Sequence, residues 1–188
     1  MNFIKTNIPE VVIIEPKIFS DERGYFFESF HKKVFCENII KTEFIQDNEA
    51  KSSYGVLRGL HYQLSPFAQS KLVRVIQGKV LDVAVDIRKG SPTFGKYVSV
   101  ELSGENKRQL FVPRGFAHGY VVLSTEAIFA YKVDNYYSLE SEGSIIFNDP
   151  SLNIDWKIHN DDIILSEKDK ISKCINEVKL FDYKEKLY

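Results

Sequence analysis

The chain has 188 residues, enough to bury one substantial core and short for two. Its 25 basic and 26 acidic residues nearly cancel and no segment is strongly basic, which argues against nucleic-acid or membrane-surface binding through bulk electrostatics. The first apolar run, Val11 to Ile14, stops at Glu15 and Pro16, too short for a signal-peptide core or a membrane span. Cys36 and Cys174 are far apart without metal-type spacing, so reduced thiols in a cytoplasmic protein are expected.

Short β-rich runs bounded by Gly, Pro, Asn and Asp dominate from Ile8 to about Trp156. Phe19 to Phe30 contains the turn-like Asp21-Glu-Arg-Gly24, and Lys32 to Asn38 reads as a short helix. Gly55 to Gln63 and Lys71 to Gly78 form a predicted β-hairpin. In Lys79 to Arg88, Leu81, Val83, Val85 and Ile87 share one strand face; Asp82, Ala84, Asp86 and Arg88 share the other. Two acids on one strand face require water, a partner or a ligand. The turn Gly90-Ser-Pro-Thr-Phe-Gly95 precedes a strand from Lys96 to Leu102. Phe111 to Pro113, Gly119 to Leu123 and Ala127 to Asp134 continue the pattern. Ser166 opens a second helix, and residues 157–188, charge-rich from Ile163 on, are expected to form a C-terminal helical appendage. Residues 1–188 thus read as one mainly β domain, a sandwich or barrel with its core at about 8–156.

His61 is a candidate base, since a reference pKa of about 6.5 leaves a neutral fraction near pH 7. The competing reading is a strand histidine satisfied by a carbonyl, but Arg58, Tyr62, Gln63 and Lys71 place a polar cluster around it. Lys71 is either a solvated strand end or a cation aimed at a developing enolate oxygen. Tyr131, in the alternating run Ile128 to Val133, is either an amphipathic aromatic or an acid. His118 lies in Pro113-x-Gly-x-x-His118, half of a cupin metal motif, but His61-Tyr-Gln63 lacks the second histidine of the other half. With His31 and His159 outside the β core, three convergent metal ligands are not expected. Arg23 and Glu28 sit in or beside a charged turn; the arginine forks of Arg23 and Arg58 also suit a diphosphate. Ser166-Glu-Lys-Asp169 matches a helix capping box, while the sharper reading has Asp169 bonded to His61, fixing its tautomer.

Taken together, Asp21-Glu-Arg-Gly24, Gly55-Val-Leu-Arg-Gly-Leu-His-Tyr-Gln63, Lys71-Leu-Val-Arg-Val75, Asp82-Val-Ala-Val-Asp-Ile-Arg88, Ser91-Pro-Thr-Phe-Gly95, Pro113-Arg-Gly-Phe-Ala-His-Gly119, Tyr131-Lys132 and Leu165-Ser-Glu-Lys-Asp169 resemble the dTDP-4-dehydrorhamnose 3,5-epimerase family. The resemblance implies a cupin-type jelly-roll β-barrel with a few short helices, and a homodimer exchanging an N-terminal strand. It implies proton transfer on a dTDP-linked 4-keto-6-deoxy sugar with no metal and no cofactor. On this chain it makes His61 the base, Tyr131 the opposite-face acid, Lys71 the enolate clamp and Asp169 the support of His61. Arg23, Glu28, Gln46, Asp47, Asn48, Arg58, His118, Glu142 and Lys168 would contact the substrate. The rival readings are an epimerase of one centre or of another nucleotide-linked keto sugar, a metal-dependent cupin oxygenase, and a non-catalytic sugar-sensing barrel. The last lacks any helix-turn-helix or basic reading surface here.

Overall fold

The computed structural model describes residues Met1–Tyr188. In chain order the strands are β1 Asn2–Lys5, β2 Val12–Glu15, β3 Phe19–Asp21 and β4 Gly24–Phe26, followed by helix α1 Lys32–Asn38. Then come β5 Gln46–Ser53, β6 Leu57–Gln63, β7 Lys71–Gln77, β8 Lys79–Asp86, β9 Arg88–Lys89, β10 Tyr97–Ser103 and β11 Gln109–Val112. β12 Phe116–Val122, β13 Glu126–Val133, β14 Glu142–Ser144, the one-turn helix α2 Glu167–Lys170 and β15 Phe181–Asp182 complete the chain.

Two antiparallel sheets face each other as a cupin-type jelly roll. One has the order β1-β2-β11-β7-β13-β5 and the other β10-β8-β12-β6-β14. Val73, Val75, Leu110 and Phe129 of the first sheet pack between the sheets against Val80, Ala84, Val98 and Val122 of the second. Leu72 and Phe111 point outward, where Phe35 of α1 stacks edge-on against Phe111 at 5.3 Å. α1 occupies the predicted residues and is capped by His31, whose side chain accepts from Val34 N.

β8 is buried on both faces. Its interior face carries Val80, Asp82 and Ala84; Leu81, Val83 and Val85 pack outward against Leu152, Trp156, Ile175 and Phe181. Ile175 and Phe181 come from the C-terminal segment, whose structure corrects the expected helical appendage. Residues 157–188 hold only α2 and two 3-10 turns, with β15 pairing in parallel with β9. Irregular backbone suffices there because single apolar anchors, not a helical stripe, cover the outer face of the second sheet. The two acids on β8 find partners. Asp86 accepts from Arg88 Nε at 2.9 Å and from the Ser91 and Thr93 hydroxyls at 2.5 and 2.6 Å, so the Gly90–Gly95 turn is built around a carboxylate. Asp82 accepts from His118.

Candidate active site

β13 runs antiparallel to both β5 and β7. Tyr131 lies opposite Asn48 and Val73, and Val133 opposite Gln46 and Lys71. Residues paired across antiparallel strands share a face, and faces alternate along each strand. Gln46, Asn48, Lys71 and Tyr131 therefore share the interior face. Asp47 is opposite Lys132 on the outer face, where its carboxylate binds Lys132 Nζ at 2.7 and 2.8 Å. Strand alternation thus turns the Asp47 side chain away from the face that carries Gln46 and Asn48.

The second sheet supplies His61, with His118 directly opposite on β12. β12 begins at Phe116, earlier than the sequence reading placed it, which takes His118 into the strand. Arg58 and His61 are three residues apart, so a regular strand would set them on opposite faces. Between His118 and Tyr120 the register shifts, two residues of β12 spanning three of β6, and Arg58 comes opposite Tyr120. The bulge needs glycine: Gly59 has φ of +137°, and a Cβ there would lie 2.5 Å from Gly119 Cα.

These side chains line one cavity of about 460 Å³, with Arg58, His61, Lys71, His118, Tyr120, Tyr131, Lys168 and Asp169 in its wall. A second cavity of about 290 Å³ shares His61, Lys71 and Tyr131 and adds Gln46, Asn48 and Glu142. Arg23 and Glu28 are not brought to either. Arg23 sits on the exposed β3–β4 hairpin, donating to Asp21 at 3.2 Å through Nε, and Glu28 is solvent-exposed beside it.

His61 Nε2 lies 2.5 Å from Asp169 Oδ1. Asp169 is 4 % exposed. Burial favours its protonated form, but the His61 contact, Ser166 and Lys168 hold the carboxyl below its ordinary value. Ser166 Oγ donates to Asp169 Oδ2 at 2.8 Å and accepts from Asp169 N at 3.2 Å. Ser166 is the cap and Asp169 ties it to the dyad: one carboxylate oxygen accepts from the capping hydroxyl, the other meets the imidazole. A neutral His61 carrying its proton on Nε2 keeps its lone pair on Nδ1.

Burial pushes the Lys71 ammonium down to about 8, against the opposing pull of Asp82 and Glu142. His118 Nε2 meets Asp82 at 2.9 and 3.0 Å; burial pushes this imidazole below its ordinary range despite the carboxylate. Burial also raises the Tyr131 phenol, partly offset by the Arg58 charge. Glu142 pairs with Lys168 and accepts from the Tyr137 hydroxyl at 3.0 Å. The start of β7 is held by Asp134, which accepts from Ser70 N at 2.6 Å, from the Thr42 hydroxyl at 2.8 Å and from Arg114 Nε at 3.2 Å. No three His, Cys, Asp or Glu side chains converge as a metal-ligating group.

The sequence reading missed Tyr120 and Phe129 as parts of the wall, and Asp82 as the partner of His118. The signal for Tyr120 was present, because it stands two residues beyond His118 on one strand and so shares its face.

What this arrangement can do is move protons: an oriented imidazole, a partly desolvated ammonium and a phenol border the same space. A family model described as dTDP-4-dehydrorhamnose 3,5-epimerase matches residues 5–177. The dTDP-4-dehydrorhamnose 3,5-epimerase of Shigella flexneri is 62% identical over 170 residues, 90% of this chain and 93% of its own. A dTDP-6-deoxy-D-glucose-3,5-epimerase of Legionella pneumophila, solved in complex with dTDP-4-keto-L-rhamnose, superposes with a TM-score of 0.94 at 54% identity over 98% of this chain and 99% of its own. The dTDP-4-dehydrorhamnose 3,5-epimerase structure from Elizabethkingia anophelis gives 0.91 at 56% identity, over 94% and 97%. The chain belongs to the dTDP-4-dehydrorhamnose 3,5-epimerase family.

Proposed function

We propose that the chain inverts C3 and C5 of dTDP-4-dehydro-6-deoxy-D-glucose, giving dTDP-4-dehydro-L-rhamnose, by proton transfer between its side chains and the sugar. The observation carrying this reading is the meeting of the His61–Asp169 pair, Lys71 and Tyr131 in one cavity. The C4 ketone acidifies the hydrogens on both neighbouring carbons. His61 removes one of these protons, and the C–H electron pair moves into the carbonyl to leave an enolate oxygen beside the Lys71 ammonium. Tyr131 then gives its hydroxyl proton to the same carbon from the other face, and solvent restores Tyr131 and takes the proton from His61. Each positioned transfer is worth roughly 10²–10⁴-fold, and the Lys71 charge adds stabilisation of the enolate. The chemistry requires no metal and no cofactor. Arg58, Gln46, Asn48, His118, Glu142 and Lys168 hold the nucleotide sugar across the two joined cavities. The ligand of the Legionella relative supports the choice of substrate.

The working form in this reading is a cytoplasmic homodimer of one-domain chains. Phe19, Tyr25 and Phe26 on the β3–β4 hairpin are exposed, which suits delivery of that segment, with Arg23 and Glu28, to the cavity of a second copy. No helix is long and apolar enough to cross a membrane.

The test is incubation with the dTDP-keto sugar in deuterated water, followed by NMR. Deuterium at both C3 and C5 with an L-configured product is the expected result; uptake at one carbon only would make this a single-centre enzyme, and no uptake would end the reading. Variants assign the roles. His61→Ala should abolish exchange at both carbons, whereas Tyr131→Phe should keep part of the exchange and lose far more of the inversion. Equal losses in Tyr131→Phe would remove the phenol from the role of opposite-face acid.

A further inference from the structure

One polar atom in the cavity wall has no use within the fold. The Tyr120 hydroxyl is the one buried side-chain nitrogen or oxygen in the chain without a hydrogen-bond partner. The residue is 4 % exposed and lines the same cavity as His61, Lys71 and Tyr131. Its ring lies almost flat on Phe129, with centroids 4.0 Å apart and planes at 15°, so the phenol is fixed in place. Burial pushes the phenol up; the Arg58 charge and the nearby Ser52 hydroxyl act against this. Ser52 Oγ accepts from Arg58 Nε at 3.2 Å, and its geometry toward Tyr120 falls short of a hydrogen bond, which leaves the phenol unpartnered. A buried hydroxyl without a partner is a cost to the free protein, and such groups in native structures call for an explanation. A phenylalanine would have given the same stacked ring without that cost.

We infer that the Tyr120 hydroxyl is a hydrogen-bond donor to an oxygen of the hexose, a substrate-binding group beyond those the sequence motifs supply. The inference rests on the epimerase reading of the cavity. Tyr120 stands opposite Arg58 on one neighbouring strand and Asp82 on the other, and Tyr131 is close enough to influence its phenol. The donor therefore lies among the groups that handle the reacting ring. A neutral, rigid donor there would help to set the tilt of the sugar between His61 and Tyr131 without adding charge near the enolate.

The experiment uses Tyr120→Phe, which deletes one oxygen and keeps the stacked ring. Binding is measured by calorimetry with dTDP-glucose, whose C4 hydroxyl prevents enolisation, and with dTDP alone; unfolding midpoints are measured without ligand. The expected result is about 3- to 10-fold weaker binding of dTDP-glucose, equal affinity for dTDP, and an unfolding midpoint unchanged or raised. Unchanged affinity for dTDP-glucose with a lowered midpoint would mean that the hydroxyl is satisfied inside the fold, and would overturn the inference. An equal loss for dTDP would place the acceptor outside the hexose and overturn it as well. Absence of deuterium uptake by the wild-type enzyme sinks the epimerase reading; unchanged dTDP-glucose affinity in the variant sinks only the Tyr120 assignment.

Discussion

Lys71→Met separates what Lys71 costs the fold from what it does for the reaction. Burial lowers its ammonium from the ordinary 10.5 to about 8. At about 1.36 kcal/mol per tenfold change in proton affinity, that lowering puts the cost of the buried cation between about 3 and 4 kcal/mol before solvent screening. The side chain keeps some access to solvent through the cavity, so about 1–3 kcal/mol is the range to expect. Below pH 8 both folded and unfolded chains hold the proton and the cost is present in full. Between pH 8 and 10.5 the unfolded chain binds more protons at this residue, so wild-type stability rises with pH across that window. Lys71→Met, of similar length, should therefore be about 1–3 kcal/mol more stable at pH 7 in urea unfolding, with the gain fading by pH 10.5. Its turnover should fall about 10²–10³-fold with the loss of the enolate clamp.

The same residue sets a pH profile. Wild-type turnover should decline above about pH 8 as the ammonium loses its proton, and Lys71→Arg, a cation that keeps its proton, should move that alkaline limb upward. A Lys71→Met variant no more stable than wild type and exchanging C3 and C5 hydrogens at the wild-type rate would refute both halves of the reasoning.

Asp169→Asn should keep stability at pH 7 within about 1 kcal/mol, because Ser166 still caps the helix, while turnover falls roughly 10²-fold or more as His61 loses its fixed tautomer. Asp169 is held below its ordinary carboxyl value, so the stability it lends is present above 3.8 and lost as pH falls through the folded value; an acid titration of unfolding should show a shallower limb in the variant. Asp134→Ala strands the Arg114 guanidinium, 17% exposed, beside an empty site, and should cost about 3–5 kcal/mol in denaturant unfolding.

The sequence disclosed the elements whose periodicity is paid for locally. α1 and the strands around Lys79–Asp86 and Ala127–Val133 follow from alternation, β-branching and turn residues. β5, by contrast, reads Gln-Asp-Asn-Glu-Ala-Lys-Ser-Ser, with neither apolar alternation nor β propensity. It is a strand because it forms the edge of the first sheet, zipped along β13 through all its residues. Pairing of that kind is decided by the partner, and nothing in the segment announces it. The C-terminal cover is hidden for a related reason. Trp156, Ile175 and Phe181 are buried one by one under turns, so no period of two or of 3.6 marks them as core.

The site divides along the same line. Residue types and spacing raised His61, Lys71 and Tyr131 as candidates, the family resemblance turned Asp169 from a helix-cap residue into the partner of His61, and alternation alone could have joined Tyr120 to His118. Alternation also predicts that Arg58 cannot stand with His61. That conflict is resolved by a backbone event, the slip of β6 against β12 at Gly59 and Gly119, where two glycines let the chains touch. Restoring regular alternation at this point would turn Arg58 or His61 out of the cavity. The glycine between the arginine and the histidine is therefore as much a condition of the site as the side chains that line it. It explains why a motif of alternating types had to be read as a whole: Arg-Gly-Leu-His works as a unit only when its middle is allowed to bulge.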